Sequence, residues 1–184
     1  MTDTSAGTGP ILIGYDGSAD AAHAITTLAA LVPGTHVDVL YAYESLQSLI
    51  THQWVIGASQ PALDLGERQE HAAAKEIAAA GAKLATDAGL VTQTRIARGQ
   101  GPVWQTILSV ADDLDASLIV VGSRGRRGLS TVLLGDIAHS LAQHADRPVL
   151  LVPSPSLATA RVRLHTLHTT PARRGNAQPV AAQS

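Results

Sequence analysis

Five short apolar runs recur along this chain with helix-like segments between them, and that alternation restricts the fold more than any other feature. Pro10 to Asp16, His36 to Glu44, Val91 to Ala97, Leu118 to Val121 and Pro148 to Val152 read as strands. Ala21 to Leu31, residues 62–88, Pro102 to Leu114 and Leu129 to His144 read as helices. Either Ser18 or Asp20 has the side chain to cap the first helix, and Pro33-Gly34 stops it. In the long alanine-rich helix, Ala73, Ile77, Ala80 and Leu84 follow a 3.6-residue period and are expected to face inward. Val103, Ile107 and Val110, then Leu134, Ile137 and Leu141, mark the inner faces of the next two. Strands alternating with helices imply a parallel sheet covered on both faces, joined by right-handed crossovers. In such sheets a ligand sits beyond the carboxyl ends of the strands, where the strand order reverses.

Two loops carry residues suited to that position. Asp16-Gly17-Ser18 follows the first strand, and Gly122-Ser123-Arg124-Gly125-Arg126-Arg127-Gly128 follows the fourth. A glycine-rich turn between strand and helix lets bare backbone amides approach a phosphate, because no side chain stands in the way. Arg124, Arg126 and Arg127 add charge of the right sign. The spacing matches neither Gly-x-Gly-x-x-Gly nor a Walker A loop. By itself a tight structural turn explains it nearly as well as a bound phosphate.

Composition removes several other classes. The chain has 184 residues, enough for one domain with a real core, and it contains no cysteine and no phenylalanine. Thiolate catalysis, disulfides and cysteine-based zinc sites are therefore excluded, and the core must be aliphatic. A net charge of −2 gives no general affinity for nucleic acid. No apolar run approaches the ~20 residues of a membrane span. Met1 to Gly9 lack the basic and apolar regions of a secretory signal, so a soluble cytoplasmic protein is expected, with residues 1–9 flexible.

Residues 154–184 carry four arginines and no acid, which leaves −6 on the rest of the chain. With Pro155, Pro171 and Pro179 among them, they read as a disordered basic tail. Ser45 to Ser59 is apolar, with Leu46, Leu49, Ile50, Trp54, Val55 and Ile56. It reads equally as a lid, a partner-binding patch or packing against the long helix. The eight histidines show no metal-ligand spacing, and Asp112, Asp113 and Asp115 read as a solvated patch at a helix end.

The ordered set of motifs resembles the universal stress protein family. It comprises Ile11-Leu12-Ile13-Gly14-Tyr15-Asp16-Gly17-Ser18, Gly99-Gln100-Gly101-Pro102, Leu118 to Gly125, Leu133-Leu134-Gly135 and Arg147-Pro148-Val149-Leu150-Leu151-Val152. The likeness runs from about Pro10 to Pro153, so residues 10–153 form the expected domain. The family's nucleotide-binding branch has Gly-x-x-Gly, nine residues, then Gly-Ser or Gly-Thr; here Gly122, Gly125 and Gly135 fill the glycines. The resemblance implies a flavodoxin-like open five-stranded sheet of order 3-2-1-4-5 that binds ATP, or ADP or AMP, in a stress-response regulator. It places Asp16, with Gly17 and Ser18, on the adenine side, the backbone near Ala42 at the base, and Gly122, Ser123, Arg124, Gly125, Arg126, Arg127, Gly135 and Asp136 around the phosphates. Family members usually form homodimers. The edge strand Pro148 to Val152, uncharged and apolar, is the expected contact, since a bare edge invites pairing.

One position departs from the pattern. Asp136 stands where the family has a hydroxyl. A carboxylate only accepts hydrogen bonds and repels phosphate. Mg²⁺ bridging Asp136 to the phosphates, compensation by the arginines, or weakened binding are the outcomes it allows. An acidic residue early in a helix also suits the helix dipole. The readings are therefore an ATP-binding regulator, an interaction protein of the same fold without nucleotide, and, last, a slow ATPase. Nothing in the spacing marks a catalytic base.

Overall fold

Strand β1 (Ile11–Gly14) lies at the centre of the sheet and pairs in parallel with β2 (His36–Glu44) on one side and β4 (Leu118–Gly122) on the other. Beyond them, β3 (Val91–Gly99) pairs with β2, and β5 (Val149–Val152) with β4, so the order is β3-β2-β1-β4-β5. This computed structural model describes residues 9–45, 60–125 and 135–155, and the side chains of all of these except 60–64. The expected flavodoxin-like sheet of order 3-2-1-4-5 is thus observed. The chain reverses direction across the sheet between β1 and β4.

The alternation of side chains along each strand divides the core into two layers. Ile11 and Ile13, Val37 and Val39, Val120 and Val152 face α1 (Ala19–Leu31) and α2 (Gln60–Asp87). Leu12, Leu40, Ile119 and Val121 face α3 (Val103–Asp113) and α4 (Asp136–His144). Leu12, Ile13, Ile119 and Val120 are fully buried at 0% exposure, which is why β1 and β4 read as unbroken apolar runs. Each such side chain contributes about 1.5–3 kcal/mol of transfer free energy.

Ser18 caps α1: its Oγ accepts from Ala21 N–H at 3.1 Å, with Asp20 in the first turn. Pro33 and Gly34 follow its end, Gly34 at φ +74°, a value that favours glycine.

The inner face of α2 differs from the expected one. Ala73 and Ala80 are exposed, and the buried line is Ala74, Ala78, Gly81 and Ala85, with Ile77 and Leu84 flanking it. The reason lies at Tyr15, just after β1. A Cβ on Gly81 would stand 2.5–2.9 Å from the Tyr15 ring. The helix approaches closely enough that its smallest residues, rather than its largest, make the contact. Leu134 of the expected α4 face and the segment 129–134 lie outside the described residues; Ile137 is partly buried and Leu141 fully buried, as expected.

Arg147 closes the α3 side of the sheet. Its side chain is 11% exposed, and one guanidinium nitrogen donates to Ala111 O at 2.7 Å and Ala116 O at 3.1 Å. The other terminal nitrogen reaches Asp112 Oδ1 at 2.5 Å. A cation here adds a second donor to Ala111 O, which already accepts from Ala116 N–H at 2.9 Å, and complements the dipole at the end of α3. Asp112, read from sequence as part of a solvated patch, is thus one arm of an ion pair.

Candidate functional site

The two loops singled out in the sequence emerge side by side from β1 and β4. Asp16 makes a tight turn: its Oδ1 accepts from Ser18 N–H at 3.0 Å. Gly17 between them has φ +83°, so the turn needs a residue without Cβ. Asp16 also faces the second loop, since a Cβ on Gly125 would lie 2.8 Å from its Oδ2. Asp16 and Gly125 therefore meet where the strand order reverses, the place of the ligand crevice in open α/β sheets, and Gly17 and Ser18 belong to the same turn as Asp16.

The three motif glycines converge there for different physical reasons. A Cβ on Gly122 would meet the backbone of Asp20 and Ala21 at 2.8–3.0 Å, so this glycine lets β4 pass against the start of α1. Around Gly125, among the described residues, the Asp16 carboxylate comes within 4 Å of such a Cβ, and the residue is exposed. Gly135 is the N-cap of α4, makes no side-chain cap, and donates its N–H to Ser123 O at 2.9 Å. A Cβ on it would stand 3.4 Å from Arg124 Cα and 3.8 Å from Gly125 N. The start of α4 thus abuts the glycine loop across nine intervening residues that lie outside the described ones, Arg126 and Arg127 among them. Asp136 occupies the first turn of α4 and is exposed.

Ser123 and Arg124 are tied into the sheet. Ser123 donates its N–H to Val152 O at 2.8 Å, and its Oγ accepts from Ser154 N–H at 3.2 Å. Arg124 Nε pairs with Asp20 Oδ2 at 3.2 Å, and its Nη2 donates to Ser154 Oγ. Arg124, expected among the phosphate contacts, has its guanidinium on Asp20 of α1 and on Ser154, two residues beyond β5.

Ala42 sits where β2 outruns β1. The last pairing of β1 with β2 is Gly14 with Leu40, and Tyr15 N–H donates to Leu40 O at 2.9 Å. Backbone groups two residues apart on a strand point the same way, so the N–H and C=O of Ala42 are directed to the β1 side, past the end of β1. The segment after Ser45, read as lid, patch or packing, lies outside the described residues.

Sequence reasoning missed one feature. A cavity of about 600 Å³ opens between α2 and the ends of β2 and β3, lined by Tyr43, Glu67, Arg68, His71, Ile96 and Arg98. Tyr43 Oη lies 3.3 Å from His71 Nδ1, and Arg98 pairs with Glu67 at 2.9 Å. Burial, then the charge of Glu70, raises the Tyr43 phenol above its ordinary value. The alternation of Tyr41 and Tyr43 was the available signal, but nothing in the sequence pairs that strand end with Glu67 and His71. This cavity stands apart from the glycine crevice. Among the described residues no three acidic or histidine side chains converge as a metal site, and no helix is long and apolar enough to cross a membrane.

Comparison with known proteins agrees with this geometry. The model of the universal stress protein family matches residues 7–153. A universal stress protein of Thermus aquaticus is 31% identical over 144 residues, covering 77% of this chain and 96% of that one. Universal stress protein YxiE of Bacillus subtilis is 41% identical over 68 residues, 37% of this chain and 45% of its own length. Among solved structures, UspA from Lactobacillus plantarum has a TM-score of 0.61 at 22% identity, covering 80% of this chain and 99% of that one. The universal stress protein from Archaeoglobus fulgidus in complex with dAMP has a TM-score of 0.51 at 20% identity, covering 78% and 97%.

Proposed function

Because the chain belongs to the universal stress protein family, we propose that it binds an adenine nucleotide, ATP in the first instance, in the crevice between β1 and β4. The observation that carries this reading is the meeting of Gly125, Gly135 and the uncapped start of α4 beside Asp16. That arrangement would offer backbone amides and the positive end of α4 to phosphate. Gly122 brings the loop into place. Asp16, Gly17 and Ser18 form the sugar and adenine side, and the backbone of Ala42 meets the edge of the base. Arg126 and Arg127 contribute charge. The dAMP complex of the A. fulgidus protein supports an adenine ligand at this fold. Its role is regulatory, in a stress response in the cytoplasm: a bound nucleotide changes what the protein contacts.

Mass spectrometry of small molecules released by denaturing the purified protein tests the proposal. A stoichiometric adenine nucleotide supports it. Protein that releases none, and takes up none from millimolar ATP, favours the second reading, an interaction protein of the same fold. Asp136 is the observation on that side, since its carboxylate stands where a hydroxyl donor would serve a phosphate.

Asp136 would hold Mg²⁺ beside the phosphates, and the ion would supply the positive charge that offsets the carboxylate. Wild type is then expected to bind ATP better with magnesium than with EDTA. Asp136→Ser should lose most of that difference and bind ATP about tenfold more tightly than wild type in EDTA, an effect of roughly 1–2 kcal/mol. Calorimetric titration reads both. Equal affinities throughout would return Asp136 to the role of a first-turn acid favoured by the helix dipole.

The protein acts as a homodimer through β5. Val152 O accepts from Ser123 N–H and Pro148 O from Ile119 N–H, so even-numbered residues of β5 turn their backbone to β4. The backbone of Val149 and Leu151 therefore faces the open edge, ready for antiparallel pairing with a second copy. Leu151→Pro removes one outward N–H and no bond to β4, a change that edge strands tolerate. It should give folded monomers in sedimentation. A folded variant that remains dimeric would move the interface elsewhere.

A further inference from the structure

Arg124 lies in the glycine loop, and its charge invites assignment to the phosphates. From its bonding we infer that it is instead a positioning residue, which locks the loop against α1 and the exit of β5 so that other groups meet the phosphates. This rests on the nucleotide-binding reading above.

Along β4 the even-numbered side chains, Leu118 and Val120, pack in the layer shared with α1, and a Cβ on Gly122 would point at the start of α1. Arg124 continues that series. Its side chain is 17% exposed and its Asp20 partner 16%, so the pair is largely withdrawn from water. The other end of the guanidinium meets Ser154, a residue only 1% exposed. Ser154 in turn donates its N–H to Ser123 Oγ, and Ser123, 4% exposed, takes Val152 O with its own N–H. Ser123 O receives Gly135 N–H. One connected set of polar bonds thus joins the first turn of α1, the glycine loop, the N-cap of α4 and the chain just beyond β5.

Two consequences follow from the chemistry. Nε and Nη2 of Arg124 serve a carboxylate and a buried hydroxyl, so turning the guanidinium out toward a phosphate would break both bonds and cost Ser154 Oγ a charge-assisted partner. Kept in place, the same guanidinium fixes the direction of the peptide groups at 124 and 125, which lie next to the start of α4. Ser154 then matters to phosphate binding although it never touches the nucleotide.

The test is calorimetric titration of the full chain with ATP and with adenosine, which has the base and sugar but no phosphate. Wild type, Arg124→Gln, Ser154→Ala and the double variant are compared at several salt concentrations. A positioning role predicts that each single variant weakens ATP by roughly tenfold, and the double variant by about the same factor, because one linkage is cut in all three. Adenosine affinity and the salt dependence of ATP binding should stay as in wild type. Arg124 as a phosphate ligand predicts the opposite: Ser154→Ala leaves ATP affinity unchanged or improves it, and Arg124→Gln flattens the salt dependence. That pattern overturns the inference while leaving nucleotide binding intact. If Arg124→Gln fails to fold, Ser154→Ala decides alone, since unchanged ATP affinity in it sinks the linkage. Wild type that takes up neither compound overturns the nucleotide-binding reading itself, and the inference with it.

Discussion

Gly122→Ala is expected to lower stability by about 3 kcal/mol, as overpacking against a fixed backbone does. The added Cβ would stand 2.8 Å from the Asp20 carbonyl carbon, 2.9 Å from its oxygen and 3.0 Å from Ala21 N. None of these atoms belongs to a side chain that can turn aside. Relief requires α1 to lift from β4, and α1 carries Ile25 and Leu28, both buried against the sheet. Urea unfolding is the measurement, with the midpoint falling by at least about 1 M. A midpoint equal to that of wild type would mean that the start of α1 yields freely, and that this glycine has some other purpose.

Gly125→Val is expected to do the reverse. Among the described residues its new Cβ meets the Asp16 carboxylate, at 2.8 Å, and position 125 itself is exposed. Far-UV circular dichroism and the thermal midpoint should stay close to wild type. The bulk would occupy the space between Asp16 and the start of α4, so ATP affinity should fall by about a hundredfold or more, a loss of several polar contacts at once. If wild type binds ATP and the variant binds it equally well, Gly125 serves the turn and not the ligand. Two glycines that look alike in the motif are thereby assigned opposite physical roles, one in packing and one at the mouth of the crevice.

The strands were legible because β1 and β4 are buried on both faces and tolerate no polar interruption, whereas their order came with the family resemblance. Strand ends were not: β3 continues two residues beyond Ala97, to Gly99, on backbone pairing with β2 that side-chain pattern does not record. The inner face of α2 was misplaced because periodicity was followed through Ile77 and Leu84, whereas Gly81 and the alanines beside it determine how closely the helix can approach. The candidate site was legible in its glycines and in Asp16, whose conformational demands are local. The bonding of Ser123 and Arg124 was not, since their partners Asp20, Val152 and Ser154 are distant in sequence. Arg147 shows the same limit: a charge before Pro148 gives no hint that it brackets the end of α3.

The Tyr15 ring against Gly81 has a consequence for how this sequence can diverge. Positions 15 and 81 share one allotment of space, and the two can change only in concert. With tyrosine at 15, even a methyl group at 81 would force the ring or the helix to shift. A smaller residue at 15 would free position 81 to vary. Since Tyr15 adjoins Asp16, any drift in this pair also moves the first loop of the crevice. A substitution in the middle of a long helix is therefore felt at the far end of β1, and the helix that looks most permissive by composition contains one of the least replaceable residues in the chain.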